Sequence, residues 1–152
     1  MRKTIDEEIK SSFSNDISRA LVNILFTSSK IKNVHKNILG KYDLSLQQFN
    51  ILRILKGQKG NPVTLKLITS RMISPMSNTS RLIDKLIIKG WVAREQNNRD
   101  RRAVKIYITE EGLSQVNHAK EDLDKYISTL ELTEKEKLQQ LNEACDLIRS
   151  VL

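Results

Sequence analysis

Apolar residues between positions 16 and 40 recur at alternating intervals of four and three, the spacing of a helix with one apolar seam. The seam consists of Ile17, Leu21, Ile24, Ile31 and Ile38, with Ser28 and His35 in its two gaps. Asn15 or Asp16 can cap the start of this helix, and Gly40 can end it. The pattern predicts a long helix over residues 16–40, after a frayed or weakly helical segment 1–15.

Two shorter helices are predicted next. Ser45 and Gln48 have the spacing of a capping box, which starts a helix that ends at Gly57. Thr64 repeats this capping pattern before a short helix of about residues 65–71.

A fourth helix is predicted from Ser74, its N-cap, and Pro75, at the first helical position where a missing N–H costs nothing, to Lys89. Its inward positions are Met76, Thr79, Leu82, Ile83 and Leu86. A second face carries Asn78, Arg81 and Lys85, flanked by Ser77 and Ser80. We expect Lys89 to meet phosphate or solvent, and Ile87 and Ile88 to meet a neighbouring helix.

A β-hairpin and two more helices complete the pattern. Strands are predicted from Trp91 and over residues 103–109, where apolar and polar residues alternate. Thr109 caps a fifth helix with the stripe Leu113, Val116, Leu123, Ile127 and Leu130. Residues 133–136 have the pattern of a capping box for a sixth helix, whose seam is Leu138, Leu141, Cys145, Ile148 and Leu152. These elements predict a mainly α fold with a small β-hairpin.

Charge is distributed unevenly along the chain, whose net charge is +8. Residues 1–63 carry +6, residues 64–109 carry +7 and residues 110–152 carry −5. A basic middle beside an acidic end favours a surface that faces a polyanion, although a solvated face that binds nothing remains the alternative.

Several other kinds of chemistry are not expected. His35, His118 and Cys145 are too scattered for a zinc site, and no phosphate loop or catalytic constellation is present, so we expect neither an enzyme nor a cofactor. A single cysteine fits a reducing compartment, and a charged N-terminus without an apolar signal core argues against secretion. We therefore expect a cytoplasmic protein.

The fourth helix and the hairpin loop together carry the chemistry of a DNA reader. The first turns of the helix offer Ser77, Asn78, Ser80 and Arg81, whose side chains can bond base edges or phosphates. Lys85 lies further along the helix, where we expect it, like Lys89, to meet phosphate or solvent. The loop places Arg99, Asp100, Arg101 and Arg102 within four residues. Such crowding repels itself on a plain surface, but opposite phosphates it forms charge-assisted bonds, and Asp100 can orient a neighbouring guanidinium or serve as a turn residue.

These stretches resemble the MarR family of winged helix-turn-helix regulators. The resemblance is carried by residues 80–86, by residues 89–94 and by residues 100–112, the last being similar to the family's wing signature. It implies that Arg102 is the minor-groove arginine at the wing tip, that Asp100 orients it, and that the fourth helix is the recognition helix.

The resemblance also implies a winged helix-turn-helix with long dimerisation helices. The expected parts are an N-terminal dimerisation helix, 1–40, a DNA-binding domain, 41–109, and C-terminal dimerisation helices, 110–152. Many members of the family release DNA when a small amphipathic or aromatic ligand binds, and Ser28 and His35 could line such a pocket, although polar residues at such positions more often have a structural role.

The expected function is a homodimeric transcriptional regulator, more specifically a repressor, that binds double-stranded DNA at an inverted repeat. Two alternatives stay open. One is an architectural DNA-binding protein that tolerates any sequence, and the other is a winged-helix module that binds proteins instead of DNA.

Overall fold

The computed structural model describes residues 3–73, 78–96 and 104–152 of the chain. Over these residues the fold is mainly helical with one antiparallel β-hairpin, which confirms the predicted fold class. The elements in order are α1 (Ile5–Ile9), α2 (Asp16–Gly40), α3 (Leu46–Lys56), α4 (Leu65–Arg71), α5 (Thr79–Ile88), β1 (Val92–Gln96), β2 (Val104–Ile108), α6 (Glu110–Ser128) and α7 (Lys135–Ser150).

Most of the predicted helix starts are confirmed, because a short polar side chain accepts a hydrogen bond from the first turn at each of them. The capping residues are Asn15 for α2, Ser45 for α3, Thr64 for α4 and Thr109 for α6. At α3 the capping box is complete, since the Gln48 N–H donates to Ser45 Oγ at 3.1 Å and the Ser45 N–H donates to Gln48 Oε1 at 2.9 Å. Local side-chain chemistry therefore sets where these four helices begin.

The start of α5 differs from the prediction. The helix begins at Thr79 instead of Pro75, and Asn78 is its N-cap, accepting a hydrogen bond from the Arg81 N–H at 3.3 Å. The predicted cap, Ser74, and Pro75 lie outside the described residues. Because Asn78 provides the N-terminal cap, α5 starts four residues later than the position predicted from Pro75.

The predicted capping box of the last helix is also wrong. α7 begins at Lys135 with Glu134 as its N-cap, and no side-chain hydrogen bond caps it. The Thr133 carbonyl accepts the Lys135 N–H at 2.9 Å, and Glu131 is left-handed with φ of 27°. A tight turn thus occupies the residues that would have formed the box.

The apolar core lies where α3, α5, α6 and the hairpin meet. Its fully buried side chains include Leu39, Ile51, Leu52, Leu55, Ile68, Ile83, Leu86, Val92, Ile106 and Val116. The hairpin pairs Val92 with Ile108 at one end and Gln96 with Val104 at the other. Val63 adds a further bridge, exchanging two hydrogen bonds of 2.9 Å with Ile106, so the residues before α4 are attached to the edge of the sheet.

The hairpin is attached to α6 through a close approach of backbones. Thr109 Oγ1 donates to the Gly90 carbonyl at 2.7 Å, and the Thr109 N–H donates to the Trp91 carbonyl at 3.1 Å. Gly112 lies directly against Trp91, where a Cβ would collide with the tryptophan carbonyl. A glycine is therefore required at 112 for α6 to begin beside the hairpin.

Candidate nucleic-acid interface

α5 has one buried face and one exposed face. Ile83 and Leu86 are fully buried and anchor the helix in the core. Ser80, Arg81 and Lys85 are exposed, as is Asp84. The helix is therefore held by its apolar side and presents a polar, mainly cationic side to solvent, as its residue spacing predicts.

The expectation for the end of this helix is half correct. Ile87 packs against the core, but Ile88 is 85% exposed. Because Ile88 follows Asp84 by four residues, it lies on the exposed face instead of meeting a neighbouring helix. An apolar side chain thus ends the polar face of α5.

Asn78 has a structural role besides its predicted contact with DNA. Its Oδ1 atom is engaged by the N–H of Arg81, since Asn78 caps the helix. An asparagine amide also carries two donor hydrogens on Nδ2, and these are not needed for the cap. Asn78 can therefore cap α5 and still donate to a base edge or a phosphate.

Arg94 controls the charge of the exposed face. Its Nη2 donates to Asp84 Oδ1 at 2.8 Å, so a side chain from β1 neutralises the carboxylate on α5. In the parts of the chain that the structure describes, Arg81 and Lys85 form no ion pair. Among the described residues, the exposed face of α5 therefore presents two cations without an acidic partner, although Asp84 lies between them in sequence.

Lys89 does not extend the cationic face, contrary to the sequence-based expectation. Its Nζ lies 2.7 Å from Asp43 Oδ2, also donates to the Asp43 carbonyl, and lies 4.7 Å from the centre of the Trp91 ring. These contacts join the end of α5 to the turn between α2 and α3. Lys89 is an anchor of the helix, and its sequence position alone does not reveal this.

A cleft of about 420 Å³ separates the first turn of α3 from α5. Its polar lining consists of Ser45, Gln47 and Gln48 on one side and Asn78, Arg81 and Lys85 on the other. Gln47 and Ser45 are absent from the predicted site, because the sequence does not show that α3 lies beside α5. One feature of the sequence could have indicated Gln47: it lies in the first turn of α3, and the capping box there uses Gln48 instead.

The hairpin brings one more polar pair to the strands. Tyr107 Oη donates to Glu95 Oε1 at 3.1 Å, and this hydrogen bond is the main reason that the pKa of Tyr107 is raised. The loop residues predicted to contact DNA, Arg99, Asp100, Arg101 and Arg102, lie outside the described residues, as does Ser77. Their assignment therefore stays a prediction from sequence.

The candidate ligand residues lie apart from this surface, on α2. Ser28 and His35 are both half-buried, and they are separated by about two helical turns. His35 Nδ1 lies 2.8 Å from the Ile31 carbonyl, which can only accept, so that nitrogen carries the hydrogen. Neither residue lines any of the clefts of about 350–490 Å³ beside α1, α3 and α5.

Polar contacts connect the end of α3 and the turn after α2 to α6. Lys56 Nζ donates to Asn117 Oδ1 at 2.5 Å. A hydrogen bond from Tyr42 and another from Lys125 lower the pKa of Asp122, while burial and the bond to Asp122 raise the pKa of Tyr42. The turn after α2 and the end of α3 are therefore both attached to α6 by polar side chains.

Other kinds of site find little support in the described ranges. They contain no group of three His, Cys, Asp or Glu side chains placed to hold a metal ion. Among the helices of the same ranges, none is both long and apolar enough to cross a membrane.

The helix pair α4–α5, the hairpin after it and the exposed cations define a winged helix-turn-helix transcriptional regulator. The model of the MarR family matches residues 44–104. YfiV of Bacillus subtilis (strain 168), an uncharacterized HTH-type transcriptional regulator, is 30% identical, and the match covers 97% of this chain and 90% of that protein. The chain belongs to the MarR family of DNA-binding transcriptional regulators.

Two further comparisons agree with this assignment. PecS of Dickeya dadantii (strain 3937), an HTH-type transcriptional regulator, is 35% identical over 56% of this chain, which spans only 52% of that relative's length. The organohalide-sensing regulator RdhR-CbdbA1625, solved with 2,4-dichlorophenol, superimposes with a TM-score of 0.77 at 19% identity, covering 90% of this chain and 82% of that one. At this identity the structural likeness supports the fold alone.

Proposed function

We propose that this protein is a homodimeric repressor that binds an inverted-repeat operator in double-stranded DNA. In this proposal α5 enters the major groove, and Ser77, Asn78, Ser80, Arg81 and Lys85 contact bases or phosphates. Bound at a promoter, the dimer excludes the transcription machinery. Its place of action is the cytoplasm, where bacterial DNA is found.

The observation that carries the DNA-binding role is the exposed face of α5. Arg81 and Lys85 are exposed and unpaired with any described acid, while Asp84 is neutralised by Arg94. Phosphate contacts supply much of the affinity of DNA-binding proteins, so two uncompensated cations beside potential base-reading groups suit this partner. Family membership supports the same conclusion.

The wing completes the proposed interface. Residues 97–103 connect β1 to β2, and the sequence places Arg99, Asp100, Arg101 and Arg102 in this segment. We assign Arg102 to the minor groove and Asp100 to the orientation of its guanidinium, as the resemblance implies.

Apolar residues on the long helices support the dimer. In a single chain Ile17 is 74% exposed and Leu25 is 70% exposed. Ile127 on α6, Leu130 just after α6 and Leu141 on α7 are also exposed. Contiguous exposed apolar surface is typical of interaction surfaces, and these side chains follow the apolar seams that the sequence predicts for the dimer. We therefore propose that residues 1–40 and 110–152 dimerise the protein and that residues 41–109 form the DNA-binding domain.

Release of DNA by a small amphipathic or aromatic ligand is the remaining part of the proposal. The fold neighbour solved with 2,4-dichlorophenol supports it by analogy. Ser28 and His35 are the candidate contacts, because both interrupt the apolar seam of α2 and both are half-buried. Release requires that the ligand bind the DNA-free arrangement more tightly than the DNA-bound one.

Genomic fragments recovered with the purified protein would identify the operator and its genes. Fluorescence anisotropy should then show tight binding to the recovered inverted repeat and weaker binding to a scrambled duplex, and light scattering should show a dimer. Equal affinity for both duplexes would favour an architectural DNA-binding protein. A monomer that ignores duplex DNA at low ionic strength would refute the proposal.

Arg102→Ala should weaken operator binding about tenfold or more while the fold stays intact, because it removes the proposed minor-groove contact. The matched control is Arg149→Ala, which removes an arginine that is paired with Asp146 on α7. Unchanged operator affinity in a folded Arg102→Ala protein would contradict the wing assignment.

A further inference from the structure

The cleft between α3 and α5 has the shape and polarity of a small anion site. It has a volume of about 420 Å³ and opens to solvent between the first turn of α3 and the exposed face of α5. Two cations, Arg81 and Lys85, line it from α5, where they are spaced by one helical turn. The site is therefore wide enough for a phosphate group and carries a net positive charge.

The electrostatic state of this cleft depends on a contact outside it. Asp84 is close in sequence to both cations, but Arg94 holds its carboxylate at 2.8 Å. No acidic side chain appears among the residues that line the cleft. The positive charge in the cleft is consequently available to a ligand.

The α3 side of the cleft supplies one uncommitted hydrogen-bonding group. Ser45 and Gln48 bind each other's backbone in the capping box, and Gln48 is buried. Gln47 is exposed and makes no hydrogen bond to any described residue. Its amide can therefore donate to a group seated between α3 and the two cations.

We infer that this cleft holds a backbone phosphate of the DNA duplex and that Gln47 is a phosphate-contacting residue contributed by α3. The inference rests on the proposed function and adds a contact from outside the helix-turn-helix and the wing. Glutamine amides and arginine or lysine side chains are common donors to DNA phosphates. Such a contact fixes the position of α5 on the duplex without reading its sequence.

Substitutions at Gln47 can separate effects on DNA binding from effects on folding. The residue lies in the first turn of α3, where a charge has opposite effects on helix stability and on phosphate binding. Gln47→Glu places a negative charge near the positive end of the helix, so thermal stability should be unchanged or higher. The same charge repels phosphate, so duplex affinity should fall about tenfold or more. Gln47→Lys should have the opposite effects, with slightly lower stability and tighter binding.

The salt dependence of binding adds a second readout. A new phosphate contact steepens the slope of log K against log salt by about 0.9, so Gln47→Lys should steepen it by about 1.8 in a dimer. Gln47→Ala, which only removes the amide, should weaken binding about threefold or more. The matched control is Gln140→Glu, which makes the same chemical change at an exposed position of α7 that is not part of its apolar seam, and it should leave the affinity within twofold of the wild type.

Measurements on the operator and on a scrambled duplex distinguish the outcomes. An equal fold-loss on both duplexes for Gln47→Glu is expected of a phosphate contact. A loss confined to the operator would overturn the inference, because it would identify Gln47 as a base reader. If the wild type binds DNA and all three Gln47 variants match it within twofold, this inference fails alone; if the wild type does not bind, the proposed function fails first.

Discussion

Arg94 and Asp84 show how a single surface ion pair can determine the charge that a partner meets. Both side chains are about half exposed, so their pair stabilises the fold by only about 0–1 kcal/mol. Its larger effect concerns Arg81, which lies three residues before Asp84 on the same helix and would otherwise have an acidic neighbour free to pair with it. The importance of Arg94 is thus electrostatic more than structural.

Arg94→Gln should weaken duplex binding about three- to tenfold, because Asp84 becomes free to neutralise Arg81. The second change Asp84→Asn should restore most of the lost affinity, since it removes the competing carboxylate. Anisotropy titrations of the single and double variants at one salt concentration measure this coupling. An absence of rescue would indicate that Arg94 itself contacts the DNA.

Asn78 combines a structural and a proposed functional role in one side chain. Asn78→Ala should lower the free energy of unfolding by about 1 kcal/mol, because the first turn of α5 loses its cap. Asn78→Asp keeps an oxygen for the cap and should preserve stability, but it removes the amide donors and adds a negative charge, so DNA affinity should fall.

Urea unfolding and anisotropy on the two variants would separate these roles of Asn78. The proposed contact is wrong if Asn78→Asp binds the operator as tightly as the wild type does.

At the scale of elements, the position of the hairpin relative to α6 depends on backbone contacts. Thr109 caps α6 through its hydroxyl oxygen and donates the same hydroxyl to the carbonyl of Gly90, so one residue serves both elements. Gly112 allows the first turn of α6 to pass directly against Trp91. The wing is therefore held at a defined place on the helix that leads to the proposed dimer surface.

Gly112→Ala should lower the free energy of unfolding by about 1–3 kcal/mol or more, because its Cβ overlaps the Trp91 carbonyl and the backbone must move. Gly40→Ala is the matched control. Gly40 ends α2 with no atom near its missing Cβ, so alanine should stabilise the helix by about 0.5–1 kcal/mol. Urea denaturation of both variants measures the difference, and a neutral Gly112→Ala would show that the junction can relax.

At the scale of the whole molecule, residues 41–109, proposed as the DNA-binding domain, share one apolar core with α2 and α6 and also make polar contacts with α6. Asp122 of α6 accepts a hydrogen bond from Tyr42, which lies just after α2. Asn117 of α6 accepts one from Lys56 at the end of α3. Lys89 makes a further connection, from the end of α5 to Asp43 in the turn after α2. A movement of the proposed DNA-binding domain relative to α2 and α6 would have to change these contacts.

Acid should weaken the connection through Asp122. Its folded pKa lies below the ordinary value of an aspartate because of hydrogen bonds from Tyr42 and Lys125. The stabilisation is therefore complete above the unfolded pKa of about 3.9 and is lost as pH falls through the lower folded pKa. Asp122→Asn should flatten the decline in unfolding free energy between about pH 5 and pH 2.

Tyr42→Phe tests the same contact from its other side. The pKa of Tyr42 is raised by burial and by Asp122, so its contribution is present below about pH 10 and is lost at higher pH. The variant should reduce both the acid and the alkaline losses of stability, measured by urea denaturation across pH. An unchanged pH profile would exclude Tyr42 from the connection.

From α2 onward, the sequence by itself determined the element order, because that order depends on local chemistry. Apolar spacing distinguished helices from strands, and short polar caps such as Ser45 and Thr109 marked helix starts through bonds spanning only three residues. The three stretches 80–86, 89–94 and 100–112 carried the resemblance that identified the family. Local signals misplaced the start of α5, where Asn78 caps the helix four residues after Ser74.

The tertiary structure decided which charges remain available and which side chains meet. Arg94 pairs with Asp84, ten residues away in sequence, and Lys89 pairs with Asp43, 46 residues away. No local pattern could therefore show that these two cations have acidic partners. The packing of α3 beside α5 likewise placed Gln47 near Arg81. Contacts between residues distant in sequence depend on how the elements pack together, and periodicity along one chain contains no information about that packing.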